Sequence, residues 1–119
     1  MNNTIIILGH VGQPPKRIDL TDTSKSLVKF SVAVKEPSAK GQEKSQWFEV
    51  EAWNGNSENA LNLITKGREV QVTGRLTLNS YTAKDGTNKV VPVIKMLGFQ
   101  LCGKKPEQTD TATEYISLV

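Results

Sequence analysis

The 119-residue chain holds one cysteine, Cys102, and one histidine, His10. A lone thiol cannot close an internal disulfide, and with one imidazole it cannot build a Cys/His zinc cluster, so disulfide scaffolds and zinc modules are excluded. Cys102 reads as a small buried apolar residue in a reducing compartment. The longest apolar run, Ile5 to Leu8, is far too short for a membrane-crossing helix. The opening Met1-Asn2-Asn3-Thr4 lacks the basic start and apolar stretch of a secretory signal and the arginines of a transit peptide, so a cytoplasmic protein is expected. Catalytic constellations are also missing. There is no nucleophile with a base beside it and no Gly-Lys-Ser loop to cradle phosphate. His10 follows a strand at a glycine turn and reads as structural or interfacial. Glu49 and Glu51, two apart on an exposed strand, have nothing to separate their pKa values as an acid and base pair requires. The chain is therefore expected to be a non-enzyme with no cofactor and no metal.

What remains is one ordinary domain's length, with 37% hydrophobic and 23% charged residues and a net charge of +3. The charge is uneven. Residues 1–103 carry 13 basic and 9 acidic side chains, or +4, whereas 104–119 carry two and three, or −1. A mildly basic body is compatible with a polyanionic partner through counterion release, and equally with a solvated lysine surface. Residues 1–103 are expected to form the domain and 104–119 a flexible tail.

Strand signals dominate. Ile5 to Leu8 is closed by Gly9 and followed by the breaker Gly12-Gln13-Pro14-Pro15. From Leu27 to Lys35, Val28, Phe30, Val32 and Val34 alternate with Lys29, Ser31 and Lys35, a period of two. After a polar loop over 36–45, Phe48, Val50 and Ala52 share one face of a third strand, and Trp47, Glu49, Glu51 and Trp53 share the other. Ser57 to Lys66 is predicted as a short helix capped by Asn56 or Ser57, with Ala60, Leu61 and Ile64 inward and Gly67 as its stop. A fourth strand places Val70, Val72 and Leu76 inward and Arg75, Thr77, Asn79 and Tyr81 outward. Asp85-Gly86 then marks a hairpin turn into a fifth strand over 89–97, with Pro92 at an edge position. Three strands, a short helix, then two strands in a long hairpin match the all-β, five-stranded Greek-key OB barrel with its helix between strands three and four. A β-sandwich of this size usually needs about seven strands.

Parity makes the aromatics informative. Burying Trp47, Trp53 and Tyr81 would drag Glu49, Glu51, Arg75 and Asn79 inside without partners, so these rings are expected outside. Exposed rings can stack on nucleobases without reading their identity. Cations along such a groove would hold phosphates: Lys35 and Lys40 beside the second hairpin, Lys66 and Arg68 at the helix exit, Arg75, and Lys84 and Lys89 in the last hairpin.

Over about residues 3–103 these residues resemble the bacterial single-stranded DNA-binding protein family. The resemblance is carried by Asn3 to Gly12 with its Ile-Leu-Gly-His-Val-Gly run, by Phe30-Ser31-Val32-Ala33-Val34, Trp47-Phe48-Glu49-Val50 and Lys66-Gly67, and by Val72-Thr73-Gly74-Arg75-Leu76 with Tyr81 before Asp85-Gly86. It implies base stacking by Trp47, Trp53 and Tyr81, a phosphate contact by Lys66, and subunit contacts near His10 and Phe48. It further implies a homotetramer, with a dimer second, that wraps single-stranded DNA on the nucleoid during replication, recombination and repair.

Three departures from that family's pattern are visible. Glu36-Pro37-Ser38 stands where another stacking aromatic is often found, Glu49 and Glu51 share the tryptophan face, and the chain ends in Tyr115-Ile116-Ser117-Leu118-Val119 rather than an aspartate-rich tip that recruits replication and repair proteins. Two other readings fit the same residues. One is a dimeric primosome-like accessory acting mainly by docking onto replication proteins, and the other is a protein- or oligosaccharide-binding OB domain with both tryptophans in a protein contact.

Overall fold

Alternating valines and isoleucines leave each strand with one face to hide, and a sheet closed on itself hides them all. In the computed structural model, which describes residues 3–22, 24–36 and 44–103, six strands do this. They are β1 (Ile5–Val11), β2 (Lys16–Ile18), β3 (Leu27–Glu36), β4 (Lys44–Trp53), β5 (Glu69–Thr82) and β6 (Asn88–Cys102), with one helix, α1 (Gly55–Leu63), between β4 and β5. The strand order is β1-β5-β6-β4-β3-β2, and a further β1–β3 pairing at His10↔Ala33 and Val11↔Val32 closes five strands into an OB barrel. A short parallel pairing of Glu49–Glu51 on β4 with Val93–Lys95 on β6 completes the circuit.

The sixth strand, β2, arises where the sequence shows only a breaker. Pro14 and Pro15 have no N–H to donate to a ladder, so β1 stops, and the chain rejoins β3 at Lys16↔Lys29 once they are passed. Ser31 bridges the gap: its carbonyl accepts from the Gly12 N–H at 2.9 Å and its Oγ from the Gln13 N–H at 2.8 Å.

Inside the barrel, Val28, Phe30, Val32, Val50, Ala52, Val70, Val72 and Ile94 are buried, and Ala60 and Ile64 close one end. Each valine, isoleucine or phenylalanine among them is worth roughly 1.5–3 kcal/mol on removal from water. Phe48 and Val34 pack only partly against this core, at its rim.

The helix begins two residues before the expected start and ends three before the expected end. Asn54 turns the chain at φ 53°, and the Ser57 hydroxyl donates to the Asn54 carbonyl, so the reversal comes immediately after β4. Ile64 is already extended, and Gly67, at φ 85°, donates to the Val11 carbonyl at 2.8 Å. Cys102 is half-buried rather than buried.

Strands β5 and β6 outrun the barrel. β1 pairs with β5 only as far as Ile5↔Gly74, and β4 with β6 only at Val93–Lys95, yet β5 and β6 continue together to Thr82↔Asn88. On the inward parity of β5, Leu76, opposite the buried Ile94, is 37% exposed at the barrel's mouth, and Leu78, one step further along the arm, is 67% exposed. At the tip, Gly86 adopts φ 86° and the Asp85 carboxylate accepts from the Thr87 N–H at 3.0 Å and hydroxyl at 2.6 Å. Pro92 lies on β6 just past the end of the β4 pairing, where no ladder partner on that side requires its missing N–H.

Candidate functional site

The outer face of β3, β4, β6 and β5 carries the expected aromatics and much of the charge. Register sets its rows. One row reads Lys29, Glu51, Lys95, Arg75 across the four strands, and the next reads Ser31, Glu49, Val93, Thr77. Trp47 and Trp53 flank these rows at the two ends of β4's outer face, opposite Ala33 and Leu27 of β3.

Trp47 is 63% exposed. Its indole lies over the backbone of Gly12, so close that a Cβ there would sit 2.0 Å from Cζ3. Glycine at 12 thus provides a floor for the ring. Beside it runs a groove of about 480 Å³, bounded by Trp47, Lys29, Gln13, Pro14, Val91 and Pro92. Trp53 is half-buried, and its Nε1–H donates to Glu51 Oε1 at 3.1 Å, which fixes the indole plane against the sheet. A second groove, of about 450 Å³, opens beside this ring. Tyr81 is half exposed on the β5–β6 arm, directly across from Lys89.

The two glutamates beside the tryptophans share one lysine of the neighbouring strand. Lys29 Nζ lies 3.3 Å from Glu49 Oε1 and 3.7 Å from Glu51 Oε2. With the Trp53 N–H as well, the Glu51 carboxylate, 7% exposed, has two partners in its buried position. Sequence reasoning overlooked Lys29. Its parity was visible, but the register that sets it beside Glu51 and Glu49 was not.

The expected phosphate-contacting cations are scattered differently. Arg75, Lys84 and Lys89 are exposed on the outer face or the arm, and Lys35 is exposed near the end of β3. Lys40 lies outside the described residues, as do Pro37 and Ser38 and the stretch 104–119. Lys66 is exposed in the turn after α1, at the far end of β5, so six residues of strand, roughly 20 Å, separate that end from Arg75. Arg68 is not on the surface. It is 1% exposed, and its guanidinium donates from Nε to the Cys102 carbonyl at 3.1 Å and from Nη2 to the Gly103 carbonyl at 3.3 Å. Those contacts pin the end of β6 to the start of β5, so it belongs to the frame and not to the groove. The outward reading from helix-exit position failed because a long side chain can fold back across its own strand pair.

On β1, His10 is exposed, as are Ile6 and Leu8 on the same face. Phe48 stands at the barrel rim. Among the described residues no three His, Cys, Asp or Glu side chains gather as a metal site would require, and no helix is long and apolar enough to cross a membrane.

A closed barrel with exposed rings and cations on one outer face defines a protein of the OB-fold class. The single-strand binding protein family matches residues 2–102, and the chain belongs to that family. Among its relatives, single-stranded DNA-binding protein 1 of Chlorobaculum tepidum is 31% identical over 108 residues, spanning 87% of this chain and 66% of the relative. Single-stranded DNA-binding protein 2 of Nostoc sp. is 28% identical over 112 residues, spanning 93% and 86%. Single-stranded DNA-binding protein 2 of Clostridium acetobutylicum is 33% identical over 92 residues, spanning 76% and 68%.

Proposed function

We propose that this chain binds single-stranded DNA with little sequence preference, as a non-catalytic protein that stacks bases on Trp47, Trp53 and Tyr81 and holds phosphates with Arg75, Lys84, Lys89, Lys35 and Lys66. The reading is carried by Trp47, an indole left 63% exposed on a glycine floor, where apolar burial gives no reason for it. The family and its relatives' names support the same ligand. Protection of single strands during replication, recombination and repair, in the cytoplasm on the nucleoid, follows from that ligand.

The protein works as a homotetramer. Over Ile5–Gly9, β1 pairs with β5 on one side only, and Ile6 and Leu8, 58% and 53% exposed, lie along the same strand. An open edge with apolar side chains is a template for a second copy, and it supports subunit contacts reaching His10 and Phe48. Mass in solution checks the assembly.

Titration with oligothymidine while following tryptophan fluorescence, repeated with duplex and across salt concentrations, tests the binding. Strong, salt-sensitive quenching with the single strand only is expected. Absence of quenching at low salt would place the tryptophans in a protein contact instead.

A further inference from the structure

Charge on the outer face is balanced at one end and unbalanced at the other. In the row Lys29, Glu51, Lys95, Arg75, the first two residues form an ion pair and the last two are cations directly opposite each other on β5 and β6. Like charges in a directly opposed cross-strand pair destabilise a sheet, so such a pair needs a reason to exist. No ion pair relieves it. Glu51, the carboxylate that faces Lys95 from β4, is taken by Lys29 and by the Trp53 N–H, and among the described residues neither Arg75 nor Lys95 has an acidic partner.

The groove beside Trp53 gathers a third cation. Its walls include Lys25, Trp53, Arg75, Lys95 and Leu97, and it holds no carboxylate. The nearest acid along the chain from Lys25, Asp22, has its carboxylate turned onto the Ser24 N–H and hydroxyl, at 3.0 and 2.6 Å. Three cations thus converge on about 450 Å³ of open space next to an aromatic ring. A phosphodiester next to a stacked base brings what such a groove would take: one anion for several donors and a base for the ring.

We propose that Lys25 and Lys95, with Arg75, form a single phosphate site that takes the phosphodiester next to the base stacked on Trp53. This rests on the single-stranded DNA reading above. The ligand also explains the opposed cations, since a shared phosphate turns their repulsion into attraction to one centre. Lys29, on the same row, contributes little because two carboxylates already neutralise it.

The test uses the full chain with Lys25→Gln, Lys95→Gln, Arg75→Gln/Lys95→Gln and Arg17→Gln, titrated with oligothymidine by tryptophan fluorescence across salt concentrations. Arg17 pairs with Glu58 of α1 at 2.7 Å, away from the groove, and controls for the change in net charge. Lys25→Gln and Lys95→Gln are each expected to weaken binding roughly fivefold at low salt with maximal quenching unchanged, and Arg17→Gln to leave both nearly as in the parent. The double variant, which leaves Lys25 on the phosphate, should flatten the slope of log affinity against log salt by no more than about 0.7, the value for one phosphate, and not by about 1.4 as two separate contacts would. Thermal melting of Lys95→Gln should be unchanged or raised, because a repulsion is removed. Variants indistinguishable from Arg17→Gln, or a double-variant change near the two-contact value, would overturn the shared site while leaving DNA binding intact. A lowered melting temperature for Lys95→Gln would make the lysine a structural residue and overturn it too. An unmodified protein that shows no quenching would remove the binding reading itself.

Discussion

Replacing Gly12 by alanine isolates the contribution of a ring's support from that of the ring itself. The added Cβ would lie 2.0 Å from Trp47 Cζ3, 2.6 Å from Cη2 and 3.2 Å from Cε3. Carbon atoms rest at about 3.5–4.0 Å, so the indole must lift by roughly 1.5–2 Å along one edge. It can do so because it is 63% exposed, and the fold should lose only about 1 kcal/mol. Base stacking is worth about 1–3 kcal/mol per base and each 1.4 kcal/mol is tenfold, so a tilted ring should cost about tenfold in affinity. The assay is oligothymidine titration beside thermal melting, with Gly55→Ala as control, since an added Cβ there has nothing within 4 Å. A Gly12→Ala protein that folds and binds as tightly as its parent would refute the role of the glycine floor.

Three further substitutions or titrations bear on the same face and its frame. Glu51→Gln keeps an acceptor for the Trp53 N–H but removes one of the two carboxylates that hold Lys29. We expect a folded protein whose affinity rises severalfold at low salt with a steeper salt dependence, and unchanged salt dependence would count against Lys29 being held neutral. Arg68→Ala leaves the Cys102 and Gly103 carbonyls without their donor and opens a void. Stability should fall by about 3 kcal/mol in a denaturant melt, while affinity of the folded fraction stays as it was. Asp85 is held below the usual carboxylate range, first by the Thr87 hydroxyl and then by the Thr87 N–H. A depressed folded-state value means that the turn's stabilisation is fully present above the ordinary aspartate value and is lost as pH falls through the lower one. The Thr87 amide resonance should titrate in that acid window, and Asp85→Asn should abolish the titration.

Much of this architecture was legible because the information is local. A period of two fixes which side of a strand faces away from the core, and so Trp47 and Tyr81 fall outside, with Trp53 half-buried on the same side, and Val28, Phe30, Val50 and Val72 inside without knowledge of any partner strand. Asp85-Gly86 specifies its own turn. Register was not legible, since it depends on residues far apart in the chain, and with it went the Lys29 clamp on Glu49 and Glu51 and the opposed cations Arg75 and Lys95. Parity also says nothing of where a barrel ends, which is why Leu76 was expected inside although β1 has already stopped pairing. Arg68 was misplaced because burial of a charged side chain depends on carbonyls supplied by the other end of the domain.

The overrun of β5 and β6 divides the binding face mechanically. Trp47 and Trp53 ride on β4, which pairs with β3 throughout and with β6 between the two rings, so the spacing between them is fixed by the frame. Tyr81 rides on a stretch of β5–β6 ribbon with which, among the described residues, no third strand pairs, and such ribbons twist and flex more readily than closed sheets. On the binding reading proposed above, the face would act as a ruler with a softer end: two bases would meet at a set distance, and the arm would follow the strand where it leaves.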